Sequence, residues 1–175
     1  DAFLAAGHVC AIMGYQAYHP IAKKYKVPII ITGFEPLDLV QGIYFAVKQL
    51  EENKYIVENQ YTRAVKEDGN KTAIAVINRV FEIGNREWRG IGEIPNSGYV
   101  LREAFKLFDA EKKFNISHIK VPENALCIAG LVLKGIKKPM ECSQFGKNCN
   151  PSNPLGAPMV SSEGACAAYY HFSVI

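Results

Sequence analysis

The sequence lacks the three features that would most quickly assign it to a class: a large net charge, a long apolar run and a phosphate-binding loop. Its 20 basic and 17 acidic residues leave a net charge of +3, too small to indicate a nucleic-acid partner. The longest apolar runs, at 27–32 and 125–133, are far shorter than the roughly 20 residues that span a bilayer. Dinucleotide fingerprints, Ser–His–Asp arrangements and H-E-x-x-H motifs are also missing. These absences argue against nucleic acid and membrane as partners.

The composition is that of a folded protein. Hydrophobic residues make up 49% of the 175 positions, enough for one good core or two small ones. The sequence does not open with a methionine, and an apolar segment begins at once, at 2–6. This segment lacks the charged flank and the length of a signal peptide. We therefore interpret the chain as a soluble fragment of a longer protein or as a processed product.

Strand and helix patterns alternate over the first sixty residues. Isoleucine-rich and other short apolar runs predict strands, and apolar residues recurring at threes and fours predict helices. The predicted strands are 2–6, 27–32 and 55–61, and the predicted helices are 9–25, interrupted at Pro20, and 35–53. Such alternation is typical of an α/β domain with a parallel sheet.

The remainder of the chain is less regular. We predict a helix at 72–83 and a loop at 90–98, because it holds three glycines and a proline. The apolar residues of 99–109 fit helix and strand patterns about equally, and we predict a strand there because it follows a Ser-Gly turn. The segment 134–158 carries four of the nine prolines and has little helical pattern. A last helix is predicted at 161–172, with Ser161 or Ser162 as its N-cap. The predicted organisation is an α/β domain at 1–121 and a loop-rich, four-cysteine region at 122–175.

Four of the five cysteines fall within forty residues, as C-x14-C-x6-C-x16-C: Cys127, Cys142, Cys149 and Cys166. An odd total argues against a closed disulfide framework, although three pairings of these four are formally possible. Both zinc sites and iron–sulfur clusters commonly use a C-x2-C pair, which is missing here. The spacing therefore predicts a metal site without choosing the metal, and the alternative is a set of buried free cysteines.

Two polar residues follow predicted strands. His8 lies just after the first strand, and Glu35 lies in GFEPLD at 33–38, where the second strand passes into a helix. Parallel α/β sheets collect ligands at the carboxyl ends of their strands. We predict that His8 and Glu35 face one cavity there, His8 as a hydrogen-bonding or proton-transfer group and Glu35 as a polar anchor. The alternative is that both only cap their helices and that the nearby Cys10 is a core residue.

The four-cysteine segment carries a resemblance to a known family. CIAGLVLKGIKKPMECSQFGKNCNPSNPLGAPMVSSEGACAAYYHF, at 127–172, resembles the C-terminal signature of the HypD family of [NiFe]-hydrogenase maturation proteins. Four further blocks resemble other parts of that family: FLAAGHV, ITGFEPLDLVQGI, VENQYTRAV and WRGIGEIPNSG. The resemblance therefore extends through most of the chain.

The resemblance implies a cofactor, partners and a compartment. It implies a [4Fe-4S] cluster on Cys127, Cys142, Cys149 and Cys166, which supplies electrons to a cytoplasmic scaffold with α/β domains. On that scaffold, with the partner HypC, an iron atom receives carbon monoxide and the cyanide that HypE delivers. The implied role is that of a maturation scaffold with a redox function more than that of a stand-alone enzyme.

The chain also departs from the family pattern. Family members are roughly twice as long, and the missing N-terminal half would carry the cysteine that holds the iron and a nearby cysteine pair. Cys10 replaces a serine or threonine, and Ala129 stands where the family often has a second cysteine. We therefore do not expect this chain to assemble the Fe(CN)2CO unit alone. The alternatives are a structural zinc-binding interaction module and a free-standing iron–sulfur electron-transfer protein.

Overall fold

The computed structural model describes residues 1–116, 118–119 and 124–173. It divides into two compact units, Asp1–Val80 and Phe81–Ile175. The predicted domain boundary between 121 and 122 lies outside the described residues. The assignment of an α/β domain to 1–121 and of a cluster region to 122–175 therefore stays a prediction.

The first unit is built on a three-stranded parallel sheet. Its strands are β1 (Phe3–Ala6), β2 (Ile29–Thr32) and β3 (Val57–Asn59), in the order β1-β2-β3. All four residues of the central strand are buried. A continuous run of β-branched residues suits a strand that is covered on both faces. The predicted α/β class with a parallel sheet is confirmed.

The helices of the first unit are α1 (Gly7–Met13), α2 (Tyr18–Tyr25), α3 (Pro36–Glu51) and α4 (Lys71–Val80). The predicted helix at 9–25 is therefore two helices, and the predicted interruption at Pro20 is wrong. Pro20 lies in the first turn of α2, where a backbone N–H is not needed. The break falls at Gly14, whose φ of 72° is readily adopted only by glycine.

Helix α3 packs on the sheet through small and polar residues. Its buried positions are Asp38, Gly42, Ala46 and Gln49. A Cβ on Gly42 would collide with the side chain of Thr32 in β2, so the glycine allows the helix to lie close to the sheet. The large apolar side chains of α3, which ordinarily face a core at this spacing, point away from the sheet instead.

The core of the first unit lies among the sheet, α1 and α2. It consists of buried Cys10, Ala22, Val27, Ile29, Ile31, Val57 and Val65. Cys10 is fully buried, its Sγ lies 3.9 Å from the Tyr18 hydroxyl, and burial raises the pKa of its thiol. A buried, protonated thiol is a small hydrophobic group, so Cys10 is a core residue.

The second unit begins with an antiparallel hairpin of β4 (Phe81–Trp88) and β5 (Gly92–Leu101). The predicted loop at 90–98 is therefore wrong, and so is the last turn of the helix predicted at 72–83. Of the three glycines in the segment 90–98, Gly90 lies in the turn between the strands and the other two pair within the ladder. The register shifts between Gly84 and Arg86, and Pro95 falls in that irregularity, where its missing N–H breaks no ladder bond.

The rest of the second unit consists of short elements. The helices are α5 (Ala110–Lys113), α6 (Ala129–Leu133) and α7 (Ala165–Phe172), with 3-10 turns at Glu103–Phe108, Pro139–Glu141 and Ala157–Met159. The strand predicted at 99–109 is therefore wrong beyond Leu101, where β5 ends. The segment 134–158 contains only such turns and isolated bridges, as predicted for a loop-rich region. Helix α7 begins after Gly164, so the predicted N-cap at Ser161 or Ser162 is wrong. Among the described residues no helix is long and apolar enough to cross a membrane.

Candidate functional sites

The four C-terminal cysteines line one cavity of about 20 Å³ in the second unit. Each comes from a different local structure: Cys127 precedes α6, Cys142 follows the Pro139–Glu141 turn, Cys149 lies in an isolated bridge and Cys166 lies in α7. All five cysteines of the chain are free thiols, so the disulfide pairings are not formed. The fold thus brings together the residues that the spacing singled out.

Tight backbone turns hold these cysteines in place. The Cys142 N–H donates to the Pro139 carbonyl at 3.0 Å, and the Cys149 N–H donates to the Gln144 carbonyl at 2.9 Å. The Cys127 N–H donates to the Asn124 carbonyl at 2.9 Å. Their positions are therefore defined by hydrogen-bonded turns even though the segment has little regular structure.

The cavity is apolar and sheltered. Cys149, Met159 and Ala167 form a buried cluster, and Phe145 and Leu155 pack against it. Burial, with the three neighbouring cysteines, raises the pKa of Cys166 to about 11. The thiolate form of Cys166 is therefore disfavoured unless a positive charge compensates it, and bound metal provides such a charge.

Two further details fit sulfur ligands. A Cβ on Gly156 would collide with Cys127 Sγ, so this glycine leaves the space that the thiol occupies. The Leu155 N–H points at Cys149 Sγ with an N···S distance of 3.4 Å. Backbone N–H groups directed at cysteine sulfurs stabilise thiolates and help to set the reduction potential of iron–sulfur clusters.

Across 1–116, 118–119 and 124–173, no group of three or more His, Cys, Asp or Glu side chains is gathered closely enough to hold one metal ion. A structural zinc ion requires sulfurs about 2.3 Å from a single centre. A cubane cluster is bound by one cysteine at each of its irons, so its ligands stand farther apart. Zinc and a cubane cluster both bind through four cysteines, so metal and sulfide analysis is the measurement that distinguishes them.

His8 and Glu35 lie at the carboxyl edge of the parallel sheet, in the first unit. His8 is the second residue of α1, directly after β1, and Glu35 precedes α3, shortly after β2. Both are exposed. The His8 ring lies 5.1 Å from the Phe34 ring, and Glu35 accepts a hydrogen bond from Arg63 at 3.1 Å. That the two side chains face a common cavity stays a prediction.

Sequence reasoning missed the ion pair at this edge. Asp38 is only 2% exposed, and Arg63 binds both of its oxygens, Nη1 to Oδ1 at 2.7 Å and Nη2 to Oδ2 at 2.6 Å. Gln60 donates to the same carboxylate at 2.9 Å, and the Arg63 guanidinium lies 4.4 Å from the centre of the Tyr61 ring. The one feature of the sequence that could have indicated this ion pair is the position of Arg63 just beyond the third strand, in the block VENQYTRAV.

This network affects both partners. Hydrogen bonds from Arg63 and Gln60 lower the pKa of Asp38 to about 2. The same carboxylate raises the pKa of Arg63 above its usual range. Arg63 is held in place by Asp38 and also donates a hydrogen bond to Glu35. It therefore positions the Glu35 side chain at the sheet edge.

Replacing Arg63 should destabilise the first unit in a pH-dependent way. In Arg63→Ala the buried Asp38 carboxylate loses its bidentate partner, so we expect a Tm several degrees lower at pH 7. The folded pKa of Asp38 lies below its unfolded value, so its stabilisation is present above about pH 4 and is lost as pH falls towards 2. The Tm difference should therefore shrink on acidification, as measured by circular dichroism melts at pH 7, 5 and 3.

A suitable control is Lys71→Ala, which removes an exposed ion pair with Asp68 at 3.1 Å. Exposed ion pairs contribute little to the free energy of unfolding, so the Tm of Lys71→Ala should stay close to that of the parent chain at every pH. An Arg63→Ala variant that melts with the control would show that the Asp38 pair does not hold the sheet edge.

Comparison with known proteins identifies several similar chains. The family described as "Hydrogenase formation hypA family", HypD, matches residues 1–173. The chain is 45% identical to hydrogenase maturation factor HypD1 of Bradyrhizobium diazoefficiens and 47% identical to the HypD factor of Azotobacter vinelandii, each over 173 residues. It is 44% identical to the HypD factor of Cupriavidus necator. In each comparison 98% of this chain aligns with 46% of the relative, so it spans about half the length of these relatives.

Proposed function

Because the chain belongs to the HypD family of hydrogenase formation proteins, we propose that it is the cluster-bearing part of a [NiFe]-hydrogenase maturation scaffold. The proposed cofactor is a [4Fe-4S] cluster held by Cys127, Cys142, Cys149 and Cys166. The observation that carries this proposal is the convergence of four thiols from four separate segments on one apolar cavity. Four cysteine ligands are the usual set for such a cluster.

The chain's own residues would bind and shelter the cluster. The four cysteines are the ligands, and the Leu155 N–H offers a hydrogen bond to the sulfur of Cys149. Phe145 and Met159 form apolar walls that exclude water. When bound, the cluster would supply electrons to the assembly of the iron centre.

The proposed substrate is an iron atom that acquires cyanide and carbon monoxide. We place its assembly in the whole family protein, together with HypC-like and HypE-like partners in the cytoplasm, because this chain spans only about half the length of its relatives. The portion outside this chain would contribute the cysteine that holds the iron. The contribution of this chain would be electrons from the second unit and polar groups from the sheet edge of the first.

At that edge His8 is proposed as a hydrogen-bonding or proton-transfer group near the diatomic ligands. The Phe34 ring limits the orientations of its imidazole. Glu35 is proposed as a second polar anchor, held by Arg63. Both residues follow strands of one parallel sheet, and such edges commonly bind ligands.

Metal and sulfide analysis tests the proposed cofactor. Protein prepared without oxygen should contain about four irons and four sulfides per chain and absorb broadly in the visible. A zinc module would contain about one zinc per chain and be colourless. Colourless, iron-free protein after anaerobic reconstitution with iron and sulfide would contradict the proposal.

The role of His8 is tested separately, in a full-length family protein that contains this chain. His8→Ala should retain the visible spectrum and yet fail to support hydrogenase maturation, because the change affects the assembly site and not the cluster. His19→Ala is the matched control, since this exposed histidine pairs with Glu67 at 3.2 Å away from the sheet edge. Normal maturation with His8→Ala would remove His8 from the mechanism and leave the cluster assignment intact.

A further inference from the structure

Helix α3 exposes an apolar face on the side away from its sheet. The side chains of this face are between 47% and 66% exposed: Leu37, Val40, Ile43, Tyr44 and Val47. The face that packs on the sheet is small and polar by contrast. A helix that packs on a sheet and otherwise faces water ordinarily turns its large apolar side chains to the sheet and its polar ones to the water.

The geometry of α3 makes this face continuous. At 3.6 residues per turn, positions 37, 40, 44 and 47 form one stripe, while the buried positions 38, 42, 46 and 49 form another on the opposite side. Sixteen residues make a helix about 24 Å long. Polar Gln41 and Lys48 border the stripe on one side, which resembles the apolar centre and polar rim of an interface.

The neighbouring edge of the sheet is also incomplete. Phe3 and Leu4 of β1 are 59% and 43% exposed. Among the described residues, β1 pairs only with β2, so its outer edge carries no further strand. Parallel strands are normally covered on both faces, and open apolar edges invite association. The first unit therefore has two apolar surfaces that need a cover.

We propose that the apolar face of α3 is the docking surface for the part of the HypD polypeptide that lies outside this chain. More than half of each relative's length lies outside the match, because the match covers 46% of it. Faces this apolar are typical of permanent contacts that resemble a divided domain core, and transient partners favour more polar surfaces. The proposal rests on family membership and does not depend on the cluster.

The size of the surface favours a covalently connected partner over a second copy. A specific interface between separate proteins usually involves 20 to 30 residues on each side. The face of α3 offers five large side chains, and β1 adds two. Segments of one polypeptide dock through smaller surfaces because they do not lose the translational freedom that separate molecules lose on binding.

The test compares one substitution in two proteins: this chain alone, and a chimera in which it replaces the matching portion of the Azotobacter vinelandii relative. In the chain alone Val40→Asp should leave the Tm almost unchanged, because the side chain is exposed. In the chimera it should lower the Tm by roughly 5 °C or more, because a carboxylate would be buried in an apolar contact. Tyr44→Asp should behave alike, and Gln41→Asp on the polar border should have little effect in both proteins.

Three results would overturn the proposal. Equal destabilisation of both proteins by Val40→Asp would show that the face is already covered within this chain. A dimer of the isolated chain that Val40→Asp converts to monomer, seen by light scattering, would identify a second copy as the occupant. Little effect in either protein would show that the face remains exposed in the full-length protein.

Discussion

Cys149→Ser is expected to abolish the visible absorption of anaerobically prepared protein and to lower its iron content from about four per chain to near zero. The cysteine is 7% exposed, and its sulfur lies at the cavity shared by the other three thiols. A serine hydroxyl stays protonated at neutral pH, so it cannot replace a buried thiolate ligand. Cys142→Ser should have a comparable effect. Iron and sulfide assays with absorption spectra measure both.

Cys10→Ser is the matched control for these substitutions. Cys10 is fully buried in the core of the first unit, and the residues that line the four-cysteine cavity all belong to the second unit. Its substitution should lower stability at most and leave the iron content and spectrum unchanged. An unaltered spectrum in Cys142→Ser or Cys149→Ser would remove the four-cysteine assignment, and a lost spectrum in Cys10→Ser would contradict its separation from the site.

Removing the cluster should loosen the second unit selectively. Of the segment 134–158, which the structure describes completely, only Pro139, Cys149 and Pro158 are buried. So few buried groups offer little compensation for ordering the backbone, and metal binding then contributes much of the local folding free energy. After chelation, cleavage in this segment should be at least about tenfold faster, as limited proteolysis with mass spectrometry would show.

The sheet of the first unit supplies the internal control. The strands and buried core residues of Asp1–Val80 include none of the four cysteines, so this unit should keep its resistance to protease when the cluster is removed. Simultaneous cleavage throughout both units would mean that they unfold as one, and the two-part organisation would then be wrong.

Local sequence was a reliable guide where one pattern dominated. The isoleucine run became β2, and the apolar repeat from 35 to 53 became α3 with nearly the predicted bounds. Both depend on interactions between residues close in the chain, which periodicity and β-branching report directly. The hairpin of β4 and β5 was missed for two reasons. Its pairing, which includes a register shift near Pro95, depends on contacts between two separate segments. Its glycines and proline are also equally typical of loops.

For the candidate sites too, the sequence indicated some features, and others depended on the tertiary structure. The four cysteines were recognisable from their concentration near the C-terminus, since residue type alone limits which side chains can hold iron. Their convergence on one cavity was not deducible, because spacings of 14, 6 and 16 residues do not define the path of an irregular loop. His8 and Glu35 were placed correctly at strand ends, whereas the Arg63–Asp38 pair depended on how β2 and β3 lie side by side.

Sequence by itself singled out the four cysteines, His8 and Glu35 as candidate site residues, and it determined that α3 is a helix with one strongly apolar side. Only the tertiary structure decided which side of α3 meets the sheet. Gly42 lies so close to Thr32 that no larger residue fits, and Asp38 is held at the sheet edge by Arg63. These contacts turn the stripe of Leu37, Val40, Tyr44 and Val47 outward. Periodicity describes the helix alone, and the direction it faces depends on the shape and charge of what it packs against.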